Sequence, residues 1–374
     1  MDWNELTKYL DAQENEGIPG SEIVVYRDHE RIYHHCAGYS DEQKRRPTDG
    51  SELYWLYSAS KVSTCTAMMQ LIEQKRANLD DSVSQYLPAF GSMMVRERDI
   101  LRPAKRAITI RHLMSMQSGL NYNLNSPSLQ KAREFYGRTG TTRQMIDALA
   151  QEPLDFEPGT YYQYSLSHDV LGAVIEAISG MRLADYLKAN LYEPLGMCET
   201  TMIPTREVMD RLAARYRVEN QATRAIENQT NAYRITEQYD AGGAGVISSA
   251  CDYALLADAL ACGGVGKSGA QILTGESIDQ MRTPQLCEEA RKIFRLPGRP
   301  GYTYGLGVRV MVEPQYSRSP AGEFGWDGAA GAFLMAIPEK RLSLFYVQHV
   351  LSCSHAFEVI HPTIRDLVCQ IVDA

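Results

Sequence analysis

The sequence is short of the features that mark membrane, disulfide-built and nucleic-acid-binding proteins. No apolar run approaches the roughly 20 residues that span a bilayer, and mean hydropathy is −0.32. A membrane-embedded chain is not expected. There is no C-x-x-C pair, and the eight cysteines at 36, 65, 198, 251, 262, 287, 353 and 369 follow no framework spacing. Several lie in apolar helical stretches, so reduced, buried thiols are the expectation. No H-E-x-x-H is present, and His34, His35 and Cys36 are neighbours in an apparent strand, where adjacent side chains point to opposite faces. No metal and no cofactor are expected. Basic residues are in deficit, 38 against 46 acidic, for a net charge of −8. That balance argues against a nucleic-acid or anionic-membrane footprint. The start, MDWNELTKYLDAQENEG, is acidic where a signal peptide is basic and has no apolar stretch after it. A cytoplasmic location is expected.

What is present is ordinary globular material: 374 residues, 44% hydrophobic and 22% charged. The length allows two or three units, or one large domain with an insertion. Trp3, Leu6 and Leu10 recur at helical spacing, and Gly17-Ile18-Pro19-Gly20 ends that helix. Two strands follow, EIVVYR and RIYHHCAG, joined at Asp28-His29-Glu30. LYWLYSASKVSTCTAMMQLIEQ reads as an extended run entering an apolar helix near Ser58. Between about 78 and 240 helical patterns replace strand alternation, separated by Pro, Gly and Asn loops. Strands return in YTYGLGVRVMV, GAAGAFLMAIP and RLSLFYVQHVL, before an amphipathic helix over about 356–372. The pattern predicts an α+β fold: an antiparallel sheet built from both termini and flanked by helices, with a mainly helical insert. The expected units are 1–77 with 241–374, and 78–240. The basic segment 96–106, interrupted by Glu97 and Asp99, reads as a solvated loop or helix face.

Three segments carry chemistry. Ser58-Ala59-Ser60-Lys61 is an S-x-x-K tetrad. On a helix, residues three apart share a face, so the Lys61 amine can reach the Ser58 hydroxyl and supply the base that a serine lacks. A serine at a helix start also meets backbone N–H groups and the positive end of the dipole. A second tetrad, Ser128-Leu129-Gln130-Lys131, lies in a polar stretch and reads as a solvent-facing helix cap. Tyr164 follows a Pro-Gly turn and precedes an apolar helix, and a phenol beside a lysine can serve as a general base or simply pack. Trp326-Asp327-Gly328 enters a strand among small residues, where a backbone N–H could complete an oxyanion hole.

In this order the segments resemble the serine β-lactamase and penicillin-binding-protein superfamily, above all its class C β-lactamase and family VIII esterase branch. YSASK, ITIRHLMSMQSGL, YYQYSLSHDVLG, LYEPLGM, GGAGVISSACDYALL, YGLGV and GWDGAAG match family segments over nearly the whole chain. The resemblance implies a β-lactamase-like fold. It makes Ser58 the acylated nucleophile, Lys61 its proton-shuttling partner and Tyr164 the general base or its stabiliser. The backbone N–H groups of Ser58 and Ala329 would form the oxyanion hole. Asn123 would take the position after the S-G-L loop that recognises the substrate side chain.

Two departures bear on substrate. The family's Y-x-N reads Tyr164-Ser165-Leu166 here, and leucine cannot hydrogen-bond an amide; His168 could donate instead, or make a structural hydrogen bond. The third motif begins with Trp326 rather than a cation, and Asp327 would repel a carboxylate. The resemblance therefore implies a hydrolase for short esters or small acyl compounds before a β-lactamase or D-amino-acid peptidase. A catalytically weak ligand-binding or sensor module of the same fold is the alternative of another class. The partner is a small ester, amide or β-lactam, and oligomeric state is not legible.

Overall fold

Near-continuous apolar runs build the centre of the sheet, because successive side chains point to opposite faces and both faces of its inner strands are covered. A computed structural model describes residues 1–374. Seven antiparallel strands run in the order Glu30–Gly38, Gly20–Arg27, Leu342–Gln348, Phe333–Ile337, Phe324–Gly325, Arg309–Met311 and Tyr302–Tyr304. The first hairpin turns through Asp28 and His29, both at positive φ (52° and 66°). Such a two-residue turn matches the twist of the flanking strands. Ser21 stands opposite Gln348 and Arg27 opposite Leu342, so the two ends of the chain pair inside one sheet, as the sequence predicts.

Ile23, Val25, Phe333, Met335, Leu344 and Tyr346 form one face, under the terminal helices Asn4–Ala12 and His361–Asp373. Val24, Tyr26, Leu334, Ala336, Phe345 and Val347 form the other and join the larger core beneath the Ala250–Ala261 helix. Full burial of a large apolar side chain contributes about 1.5–3 kcal/mol. That core continues through the Ser60–Glu73 helix, most of which is buried, and the Ser167–Ser179 helix packed against it.

The middle of the chain is mostly helical, as expected: Ile110–Met114, Pro127–Tyr136, Thr142–Leu149, Ser167–Ser179 and Leu183–Leu187. Two hairpins correct the expectation there. The basic segment is neither a loop nor a helix face, since Met94–Glu97 pairs with Ile100–Pro103, and Arg102 ion-pairs with Glu97 and Glu157. Arg215–Glu219 pairs with Ala222–Ile226 across Asn220 and Gln221, both at positive φ, and Val350–Leu351 lies parallel to the first of these strands. Asparagine tolerates that backbone, and strands this short leave little alternation to read.

Asp327 also departs from expectation. Its side chain lies on the other side of the strand from Trp326, as strand alternation requires, and enters a buried charge network. Arg299 reaches it at 2.7 Å and Arg309 at 3.0 Å, while Arg309 also binds Glu323 at 3.2 Å. Burial works against the Asp327 carboxylate, but the two guanidinium groups outweigh it and hold the group down to about 2. Asp327 is therefore a structural anion, not the substrate-facing, carboxylate-repelling group the motif suggested.

Replacing Asp327 with Asn leaves two buried guanidiniums short of a counter-charge. The expected loss is about 3–5 kcal/mol of stability, measured by urea unfolding. The pH dependence has a defined sign. A folded-state value below the unfolded ~3.9 stabilises above that pH, and the contribution is lost as pH falls toward about 2. D327N should flatten that acid limb.

Candidate active site

The strand Tyr54–Trp55 pairs with Ile247–Ser248 and delivers the chain to a sharp turn. Tyr57 turns it at φ 48°, a left-handed conformation costing about 1–3 kcal/mol for such a residue. The tyrosine is held by an edge contact with Tyr233 and by the Arg215 Nη1–H, which donates to its hydroxyl at 2.7 Å. Ser58 follows in the tight turn Tyr57–Ala59 that opens the Ser60–Glu73 helix, and is partly exposed between two buried residues.

Lys61, one turn on, has no exposed surface. Its Nζ donates to Ser58 Oγ at 3.2 Å and to the Gly243 carbonyl at 2.7 Å, and lies 4.6 Å from the centre of the Tyr164 ring. Burial pushes the amine well below the ordinary lysine range, and the nearby Asp169 carboxylate pulls the other way. Burial likewise raises the Tyr164 phenol, against the lowering effect of the Ser58 hydroxyl and the Trp326 N–H. The Trp326 Nε1–H donates to Tyr164 Oη at 3.2 Å, and the two rings stack at 5.8 Å.

Gly328 fixes the far wall. A Cβ there would stand 2.2 Å from the Leu56 carbonyl oxygen, so only glycine lets the strand lie against the chain leading to Ser58. Ala329 follows it and lines the same cleft as Ser58. Neither the Ser58 nor the Ala329 N–H donates to any backbone carbonyl. Ser58, Lys61, Tyr164, Trp326 and Ala329 are thus brought together from three separate stretches of sequence.

Other expected site residues lie elsewhere. Asn123 is exposed and accepts from the Asn125 N–H, a local turn contact; its neighbour Tyr122 lines the cleft and stacks on Tyr164 at 5.7 Å. Leu166 is buried in the apolar core at the start of the Ser167–Ser179 helix. His168 has no exposed surface. Its Nε2 lies 3.3 Å from the Met114 carbonyl and 3.6 Å from Cys65 Sγ, and burial lowers it to about 3, so it stays neutral and does not face the cleft. Ser128 is buried, its N–H donating to Glu152, while Lys131 is exposed, so the second tetrad assembles nothing.

Sequence reasoning missed Asp169. It is buried beside Lys61, accepts from Tyr239 Oη at 2.9 Å, and is raised by burial against the pull of Lys61. A Cβ at Gly243 would fall 2.6 Å from Asp169 Oδ2 and 3.3 Å from Lys61 Nζ, which explains that glycine. The available signal was an aspartate at a helix start just after the tyrosine motif.

The cleft over Ser58 has a volume of about 930 Å3 and is lined by Tyr122, Tyr164, Tyr233, Arg215, Arg217 and Leu351 among others. Two groups of potential metal ligands exist, and no residue of either lines the cleft. Glu22, His34 and Cys36 offer atoms within 4.8 Å of one another; His34 and Cys36 are two apart on a strand and share a face, although His35 between them points the other way. Asp28, His29 and Cys262 form the second, where Arg341 already supplies a cation to Asp28. No helix is long and apolar enough to cross a membrane.

Comparison with known proteins shows the family and the fold. Esterase EstB of Burkholderia gladioli is 28% identical over 342 residues, covering 84% of this chain and 81% of EstB. A putative D-alanyl-D-alanine carboxypeptidase of Escherichia coli K12 is 24% identical over 358 residues, covering 87% of this chain and 77% of that protein. The solved structure of EstCE1, described as a hydrolase with promiscuous acyltransferase activity, superposes with a TM-score of 0.80 at 26% identity over 98% of both chains. The model of the Beta-lactamase family matches residues 6–355. The chain belongs to that family, whose members are serine hydrolases.

Proposed function

We propose that the protein is an esterase that acts through an acyl-enzyme on Ser58 and takes short-chain esters or small acyl compounds. The observation that carries this reading is the Ser58 Oγ–Lys61 Nζ contact of 3.2 Å beside two unengaged N–H groups. Ser58 Oγ attacks the ester carbonyl carbon, and its proton passes to the Lys61 amine. Burial favours the neutral forms of both Lys61 and Tyr164. Lys61 is thus the group ready to accept, and the Tyr164 hydroxyl the one placed to hand a proton to the departing alkoxide. The Ser58 and Ala329 N–H groups hold the oxyanion; losing one such donor typically costs about 10²–10³ in rate. Water then cleaves the acyl-serine, returning the proton along the same path.

Trp326 in place of a cation supports esters over β-lactams, and the likeness to EstB and EstCE1 favours the same choice. The carboxypeptidase relative keeps D-amino-acid peptides as the second reading. The two-unit division, 1–77 with 241–374 and 78–240, fits this reading, with Ser58 and Trp326 from one unit and Tyr164 from the other.

A fluorophosphonate should add one mass adduct to the wild-type chain at Ser58 and none to S58A, which should also lose p-nitrophenyl butyrate turnover. Full turnover by S58A sinks the assignment. Tyr164→Phe should lower kcat by about 10²–10⁴, the range for a lost general acid–base group. The pH profile of kcat/KM should rise through the lowered Lys61 value, well below the ~10.4 of an ordinary lysine. Nitrocefin turnover far exceeding ester turnover would move the assignment to β-lactamase.

A further inference from the structure

The chain has four buried arginines: Arg215, Arg299, Arg309 and Arg365. Three follow the rule that a buried guanidinium is paired. Arg299 binds Asp327 at 2.7 Å, Arg309 binds Glu323 at 3.2 Å, and Arg365 binds Asp366 at 2.8 Å. Arg215 is only 7% exposed and has no carboxylate within 4.0 Å. Its Nη atoms donate to neutral oxygens (Tyr57 Oη and the Thr230 and Glu227 carbonyls), and its buried Nε has no partner. Arg217 stands two residues along the same strand, hence on the same face. Its nearest carboxylate is Glu219 on its own strand, exposed and 3.9 Å away, too open and distant to hold it. Both arginines line the cleft with Ser58, and no acidic side chain does. In a chain of net charge −8, the candidate acyl site collects two positive charges whose one carboxylate partner is the distant, exposed Glu219.

We infer that the cleft binds esters bearing a carboxylate, which Arg217 engages and the buried charge of Arg215 supports. The inference rests on Ser58 as the nucleophile and names the substrate class of that site. A guanidinium matches a carboxylate through two parallel hydrogen bonds, which sets the substrate's orientation as well as its affinity. Arg215 is a positioning residue that holds Tyr57 and adds field, whereas Arg217 makes the contact.

Binding to S58A, which cannot acylate, separates this inference from the catalytic one. By calorimetry, monomethyl glutarate should bind about tenfold tighter than the neutral methyl valerate, a difference of one charge-assisted pair. Adding Arg217→Gln should bring the two affinities together, whereas Arg206→Gln, at an exposed arginine outside the cleft, should leave them apart. About 0.5 M salt should shrink the preference, because Arg217 is open to solvent. Turnover by the wild-type enzyme locates the carboxylate. Preference for the p-nitrophenyl hemiester of glutarate over p-nitrophenyl valerate puts it on the acyl side. Preference for the butyrate ester of glycolic acid over ethyl butyrate puts it on the alcohol side. Equal binding of charged and neutral ligands, or an equal loss of both in R217Q, overturns the inference. Retained anion preference in binding with no ester turnover by wild type upholds the anion site and overturns Ser58 as nucleophile.

Discussion

Placing the Lys61 amine out of water constrains the rest of the site. An amine with no exposed surface keeps its place only if its donors are taken and its charge is either given up or matched. Here the Gly243 carbonyl and Ser58 Oγ take its N–H groups, the Tyr164 ring covers it, and the Asp169 carboxylate lies near enough to oppose its deprotonation. Each of those partners is fixed in turn. Gly243 has no room for a Cβ, Tyr239 holds Asp169, and Trp326 holds the Tyr164 hydroxyl. The residues around Ser58 form one connected set because the lysine at its centre tolerates no loose neighbour.

The strand that carries Trp326 and Asp327 ties this set to the rest of the molecule. Alternation sends the two side chains to opposite sides, one onto Tyr164 and the other into the arginine network behind the sheet. The backbone just after them must approach Leu56 closely, which Gly328 allows, and that approach brings Ala329 into the cleft that Ser58 lines. The buried ion network is thus a mounting for the cleft. Its charges pair with each other, which leaves Arg215 and Arg217 as the cations that line the cleft.

Much of this was legible in the sequence, for local reasons. The continuous apolar runs in EIVVYR and RLSLFYVQ are enough to specify strands buried on both faces, and S-x-x-K at a helix start fixes the Ser58–Lys61 approach. What was not legible depended on side-chain direction over long range. His168 and Asp169 are adjacent titratable residues, but a helix turns about 100° per residue. That rotation packs the histidine on Cys65 and presents the aspartate to Lys61. Asn123 and Tyr122 exchange roles for a similar reason, since the turn at Asn121 points Tyr122 inward. Arg215 and Arg217 sit in a hairpin too short and too polar to read as strand, and so their shared face was invisible.

The positions of charge around Ser58 give the site its logic. The oxyanion would be met by backbone N–H dipoles, which act over contact distance and carry no net charge. A substrate carboxylate would be met by guanidiniums, whose field reaches further and is weakened by salt. Separating the two devices means that a bound carboxylate does not occupy the donors that the reacting carbonyl needs. Trp326 fits the same division. A cation there would sit beside Tyr164 and favour the phenolate, whereas an indole N–H donates one hydrogen bond without adding charge. The phenol can then stay protonated for the leaving group, and the charge that would recognise substrate is kept on the Arg215–Glu219 strand.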